Sequence, residues 1–179
     1  MKPRLFRAVL AVLAAALAMS GCASQRLPIC PGAAILADAA TRPVLKPGAA
    51  MGDPSAVLYT VSLTNITTSC TLDSRAGQTD SSVTISFRAT RAPSGQAAHY
   101  VVPYFLAINQ GERVLNKRQF NAEVNFAPGA ASIFFQTTIA STVLKLDNGH
   151  LPTEYQFLAG FEISDAERAF RAAMDRYVP

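Results

Sequence analysis

The chain contains no tryptophan, two histidines and three cysteines, and only 16% of its 179 residues are charged. Each shortage closes off a reading. Without tryptophan there can be no antibody-type core tryptophan, and a carbohydrate-binding reading loses its usual stacking residue. His99 and His150 are isolated, with neither HxH nor HExxH spacing, so no metal site is expected. His150 could be drawn with Asp147 and Glu154 as a cluster, but a solvated loop histidine is the simpler reading. "LDNGH" lacks the repeated acidic residues of a calcium loop. No GxSxG elbow, SxxK or CxxC occurs, and Gly111 and Gly129 are turn glycines without phosphate-loop context. No catalytic, cofactor-binding or metal residues are expected, and the chain reads as non-enzymatic.

Long apolar runs are also missing. Ala8 to Met19 gives twelve apolar residues, too few for a hydrocarbon core that needs roughly 20. Lys2, Arg4 and Arg7 precede this run and Ser20-Gly21 follow it, which are the three parts of a secretory leader over residues 1–21. The formal charge of +4 and the pI of 9.2 mislead in consequence. Three of the sixteen basic residues lie in the leader and all twelve acidic ones after it, leaving thirteen against twelve, or +1. Nucleic acid is therefore not an expected partner.

"AMSGC" resembles the lipobox of bacterial lipoproteins, with Met19 where Leu is usual. The resemblance implies that Cys22 is acylated and becomes the mature N-terminus. Several acyl chains at about 0.8 kcal/mol per buried methylene would hold the protein on a bilayer. The alternative is an ordinary leader whose cleavage site adjoins a cysteine. Ala23, where an Asp would signal inner-membrane retention, favours by analogy the outer membrane facing the periplasm. With Cys22 blocked, Cys30 and Cys70 remain, and an oxidising compartment is expected to pair them. That bridge would close a loop of about 40 residues and contribute roughly 4 kcal/mol. Two free thiols or a redox site is the competing reading. From Cys22 to Cys30 the chain can reach at most roughly 28 Å, so the domain is expected close to the membrane.

From Val57 onward, apolar residues alternate with polar ones. Val57, Tyr59, Val61 and Leu63 share one face, as do Val83, Ile85 and Phe87, then Phe120, Ala122, Val124 and Phe126, and lastly Tyr155, Phe157, Ala159 and Phe161. Six or seven such strands over about 110 residues predict a mainly β fold, an antiparallel immunoglobulin/fibronectin-like β-sandwich. "YVVPYFLAI" is apolar on both faces, and Pro103 places part of it at an edge or bulge. "RAGQTDS" reads as a polar linker. "SDAERAFRAAMDRY" predicts a short C-terminal α-helix with Ser164 as N-cap and Glu167 at N3. Its stripe of Ala166, Phe170, Ala173 and Tyr177 would cover Val101, Phe105 and Phe134 or dock on a partner or bilayer. Val101, Phe105, Phe134, Phe170 and Tyr177 are the candidate partner surface. The divisions expected are 1–21 leader, 22–54 lipidated tether with an N-terminal strand or arm, 55–163 sandwich and 164–179 helix. In the second of these, "AAILADAATRPVL" fits a strand or a helix.

Cys30-Pro31, the segment Leu36 to Ala40 and Tyr104 to Ile108 resemble a group of small predicted alphaproteobacterial lipoproteins. That resemblance implies compartment and sandwich, tips the N-terminal segment towards strand, and carries no catalytic motif. The function expected is a lipid-anchored, non-catalytic binding or assembly module, with the bilayer and another envelope protein as partners. A carrier of a small apolar ligand between the sheets is the first alternative. A hydrolase, which needs Asp147, His150 and a serine in one cleft, is the second.

Overall fold

Eight strands form in chain order: β1 Gly32–Ile35, β2 Thr41–Leu45, β3 Val57–Asp73, β4 Gln78–Thr90, β5 Ala98–Gln110, β6 Arg113–Phe126, β7 Ser132–Lys145 and β8 Tyr155–Phe161. The structure is a computed structural model, and it describes residues 30–48, 54–93, 96–147 and 149–164. The expected acylation site Cys22, the expected leader over 1–21 and the expected C-terminal helix with Phe170 and Tyr177 lie outside those ranges. One sheet runs β1-β8-β5-β6 and the other β2-β3-β4-β7. All pairings are antiparallel except β1 with β8. The layer architecture is thus sandwich-like. A constant-type immunoglobulin sheet seats its first, second, fifth and fourth strands together, whereas here β2, β3 and β4 are neighbours in sequence and in space.

Between the sheets lies a core built from the alternating positions. Tyr59, Val61, Val83, Ile85, Phe87, Val124, Phe126, Phe157 and Phe161 are all buried in it, and Phe120 and Phe135 pack against it. Such burial is worth about 1.5–3 kcal/mol per large side chain. The described part of the segment expected as a tether with an N-terminal strand or arm, residues 30–48, is part of this body. Its β1 lies along β8 and its β2 along β3, with a 3-10 turn at Ala37–Ala39 between them.

β3 and β4 run further than hydrophobic alternation indicates. A bulge at Thr64 shifts the register between Leu63 and Asn65, after which Ile66, Thr68, Cys70 and Leu72 take the less exposed side. "RAGQTDS" is therefore only partly a linker, because Gln78 to Ser82 already belong to β4. The buried side of that stretch is made of Thr79 and Ser81, both without exposure, which is why periodicity did not reveal a strand. The turn itself is held by Asp73, whose Oδ1 accepts the Arg75 and Ala76 N–H groups at 3.0 Å each. Gly77 closes it at φ 60, a left-handed conformation that favours glycine.

β5 is central, between β8 and β6, yet its pairing with β8 starts only at Tyr104. Pro103 has a neighbour on the β6 side alone, as its missing N–H requires. The outer side of β5 is covered from Phe105 onward. Phe105 and Ala107 cluster with Ala39, Leu158 and Ile163, and the Lys117 ammonium sits 4.2 Å from the Phe105 ring centroid. A Cβ on Gly160 would meet Ala39 and Phe105 at 2.8 Å, so glycine is what lets the 3-10 turn lie this close.

Tyr59 and Tyr104 are 2% and 0% exposed. Burial pushes both phenols up from 10.0 to about 12, with Tyr100 beside Tyr59 adding to its shift. An unfolded tyrosine ionises near pH 10. The stability from keeping these phenols neutral is therefore complete below about pH 10 and is lost as pH rises through about 12. Alkaline unfolding is expected in that window, with tyrosinate absorbance appearing as the β-sheet circular dichroism disappears. Tyr104→Phe removes a hydroxyl that has no hydrogen-bond partner among the described residues, and should move the transition to higher pH.

Candidate functional site

Four strands sit at sheet edges: β1, β6, β2 and β7. An edge offers unpaired N–H and C=O groups, and folded proteins protect such edges with brevity, charge or proline. β1 has 4 residues, and β2 has 5 including Pro43. β6 carries Arg113, Lys117 and Arg118 along a half that is exposed on both sides. β7 has none of these devices. From Ser132 to Leu144, "SIFFQTTIASTVL", it has no charged residue and no proline over 13 positions, and Ile, Phe, Thr and Val dominate.

Many side chains of β7 pack on the core or bond to β4, while its outer main-chain edge has no strand beside it among the described residues. Its inner row of Ile133, Phe135 and Ile139 packs on the core, with Phe135 stacked on Phe87 at 5.0 Å between centroids. Its outer row is tied to β4. Thr138 and Thr84 share a hydroxyl contact of 3.0 Å, Gln136 donates to Ser86 at 3.0 Å, and Ser132 accepts from Arg88 at 3.4 Å. Arg88 also lies 5.2 Å from the Phe134 ring centroid. These contacts fix the row to β4 in the absence of any partner, and a pre-placed row lowers the ordering cost of adding a strand.

A bulge ends the regular part of this edge. Ser141 adopts φ 52 and the register with β4 shifts between Ser81 and Val83. A left-handed serine costs roughly 1–2 kcal/mol, and bulges of this kind terminate pairing or re-aim a side chain. Beside it lies a shallow depression of about 260 Å³ lined by Ser69, Cys70, Thr71, Asp80, Ser82 and Ser141.

Of the candidate partner residues, Val101, Phe105 and Phe134 are among the described ones, and these three do not share one face. Val101 is 51% and Phe134 71% exposed, but they lie on the outer faces of different sheets. Phe105 is 7% exposed. Its place in the surface is corrected by the cover that Ala39 and Gly160 allow. Cys30 and Cys70 are bonded, with their Cα atoms 5.5 Å apart. Sequence reasoning picked out Phe134 but missed β7 as an edge; the charge-free run was the available signal.

The Asp147–His150 loop is structural in its contacts. His150 Nδ1 lies 2.6 Å from Glu154 Oε2, while the Leu151 N–H donates to Glu154 Oε1 at 2.7 Å. That N–H, and then His150, hold the Glu154 carboxyl below its ordinary range. Asp147 turns elsewhere, accepting from Arg113 at 3.2 Å, and its own N–H donates to the Tyr155 hydroxyl at 2.9 Å. The loop thereby ties the β5–β6 hairpin to the start of β8. His99 pairs with Asn125 at 2.6 Å on a different part of the molecule. Among the described residues no three His, Cys, Asp or Glu side chains are grouped to hold a metal ion, and no helix is long and apolar enough to cross a membrane. No family model, curated protein or solved structure matches this chain.

Proposed function

We propose that this is a lipoprotein of the bacterial envelope, anchored through acylated Cys22 in the outer membrane and facing the periplasm. Its immunoglobulin/fibronectin-like sandwich would be a non-catalytic binding and assembly module that takes an extended segment of another envelope protein onto β7. Membership of the alphaproteobacterial lipoprotein group belongs to the same proposal. The observation that carries it is the β7 edge, long, without charge from Ser132 to Leu144 and bonded to β4 along its outer row. In strand addition the main chain supplies affinity and alternate side chains supply specificity. The Cys30–Cys70 bridge suits an oxidising compartment.

The edge itself gives the test. Gln136→Lys with Thr138→Lys places two charges on the exposed row without touching the core. Recovery of the companion from gently solubilised membranes is expected to fall at least about tenfold, a loss of about 1.4 kcal/mol. Arg118→Ala on the β6 edge should leave recovery unchanged. Equal recovery with both variants, or a wild-type monomer with no companion, would count against strand addition. Intact-mass measurement of the mature N-terminus tests the acyl group separately.

A further inference from the structure

One end of the sandwich gathers the features that a membrane-facing surface needs. Cys30 is bonded to Cys70, three residues before the β3–β4 turn. The Leu146 N–H donates to Gly77 O at 2.8 Å, which puts the end of β7 at the same place. In the other sheet, Gln110 pairs with both Arg113 and Tyr155, and Gly32 pairs with Gln156. The β5–β6 hairpin tip, the start of β8 and the start of β1 therefore share this end. Arg113 bonded to Asp147 joins the two sets.

This end also carries the larger share of the uncovered apolar side chains, although the most exposed, Phe134 at 71%, lies at the other end. Seven large apolar side chains are exposed among the described residues, and Val114, Leu115, Val143 and Leu151 are at this end. Leu151 is 64% and Val114 58% exposed. Val101 and Phe134 belong to the opposite end, where β5 starts beside the end of β6 and β7 starts beside Thr90. Charge does not distinguish the near end. Arg75, Arg113 and Lys145 stand there against Asp73, Asp80, Glu112, Asp147 and Glu154, so this end has no excess of positive charge.

We infer that the sandwich stands on the bilayer by this end, with Leu151, Val114 and Leu115 in the lipid interface. The inference rests on the proposed acyl anchor at Cys22, eight residues before Cys30. Those eight steps reach at most roughly 28 Å, whereas the 17 residues of β3 extend about 55 Å. The end that carries Cys30 is thus the one held to the membrane, and the opposite end stays away unless the domain lies flat. The occupant is lipid, because the chain that leaves from Cys30 leads directly to the acylated residue. With no positive excess at this end, the contact is apolar and needs no anionic lipid.

The test uses full-length lipidated protein in phosphatidylethanolamine–phosphatidylglycerol vesicles, with an environment-sensitive fluorescent amino acid replacing Leu151, Val114 or Phe134. Co-flotation with the vesicles reports the anchor, and emission reports the orientation. The expected result is a blue shift at positions 151 and 114 and none at 134, preserved in vesicles without phosphatidylglycerol. Floating protein with no shift at 151 and 114 overturns the orientation and leaves the anchor standing. A shift at 134 means that the domain lies flat, which also overturns it. Protein that does not float removes the anchor and the orientation with it.

Discussion

Replacing Cys30 and Cys70 together with serine is expected to cost about 4 kcal/mol, the loop-closure value for a bridge spanning 40 residues. For a domain of this size that corresponds to a fall in Tm on the order of 10 °C. The loss should begin locally. The bridge fixes the residue just before β1, a strand of 4 residues whose one neighbour is β8. Beside it, the Thr68 hydroxyl donates to Pro31 O at 3.0 Å, which is too little to hold β1 alone. Amide exchange at Gly32–Ile35 should therefore speed up before the rest of the domain is affected. Thermal melts of the wild-type protein with and without reductant check the size of the effect. The double variant should melt like the reduced wild type and ignore reductant. Equal melting of all forms would show that β1 is held by its pairing alone.

Phe87→Ala is the second large effect, about 3–5 kcal/mol by the cost of emptying a buried aromatic site. Phe87 has no exposure. It stacks on Phe135 at 5.0 Å, meets Tyr104 edge-on at 5.3 Å and leans on Phe161 at 6.3 Å. These partners come from β7, β5 and β8, so the ring bridges both sheets and cannot be replaced by a local shift. Phe134→Ala, one position from Phe135, makes the control. Its ring is 71% exposed, and the expected change in stability is within about 0.5 kcal/mol. Urea midpoints of the two variants should differ widely; similar midpoints would mean that the ring cluster is not the load it appears to be from its burial.

Periodicity carried the sequence reading furthest where both faces of a strand differ in polarity. Val83, Ile85 and Phe87 are the clearest instance, and all three are buried as the alternation implies. It failed where the buried row is itself polar. Thr79 and Ser81 face inward as fully as their apolar neighbours, so half of "RAGQTDS" passed for a linker. The bulge at Thr64 had a similar effect, since a single extra residue reverses which letters are buried. Phe105 shows a different obstacle. Its cover comes from Ala39 and the bare backbone of Gly160, small residues that carry no hydrophobic signal of their own. The disulfide was legible because three cysteines leave few pairings. Edge position was not, because it depends on which strands lie next to one another, and β1 beside β8 is a pairing between the two ends of the described chain.

That last pairing sets an order of events during synthesis. β2, β3 and β4 are successive strands joined as a meander, and can associate as soon as they exist. β1 is made before any of them but, among the described strands, has its one neighbour in β8, the last of these to be made. Contacts so distant along the chain form late. Until Tyr155–Phe161 is complete, β5 lacks a neighbour on one side and Ala39 has no Gly160 against which to settle. The first strand waits for the last, and a chain halted before Tyr155 would leave one sheet half-built beside a finished one.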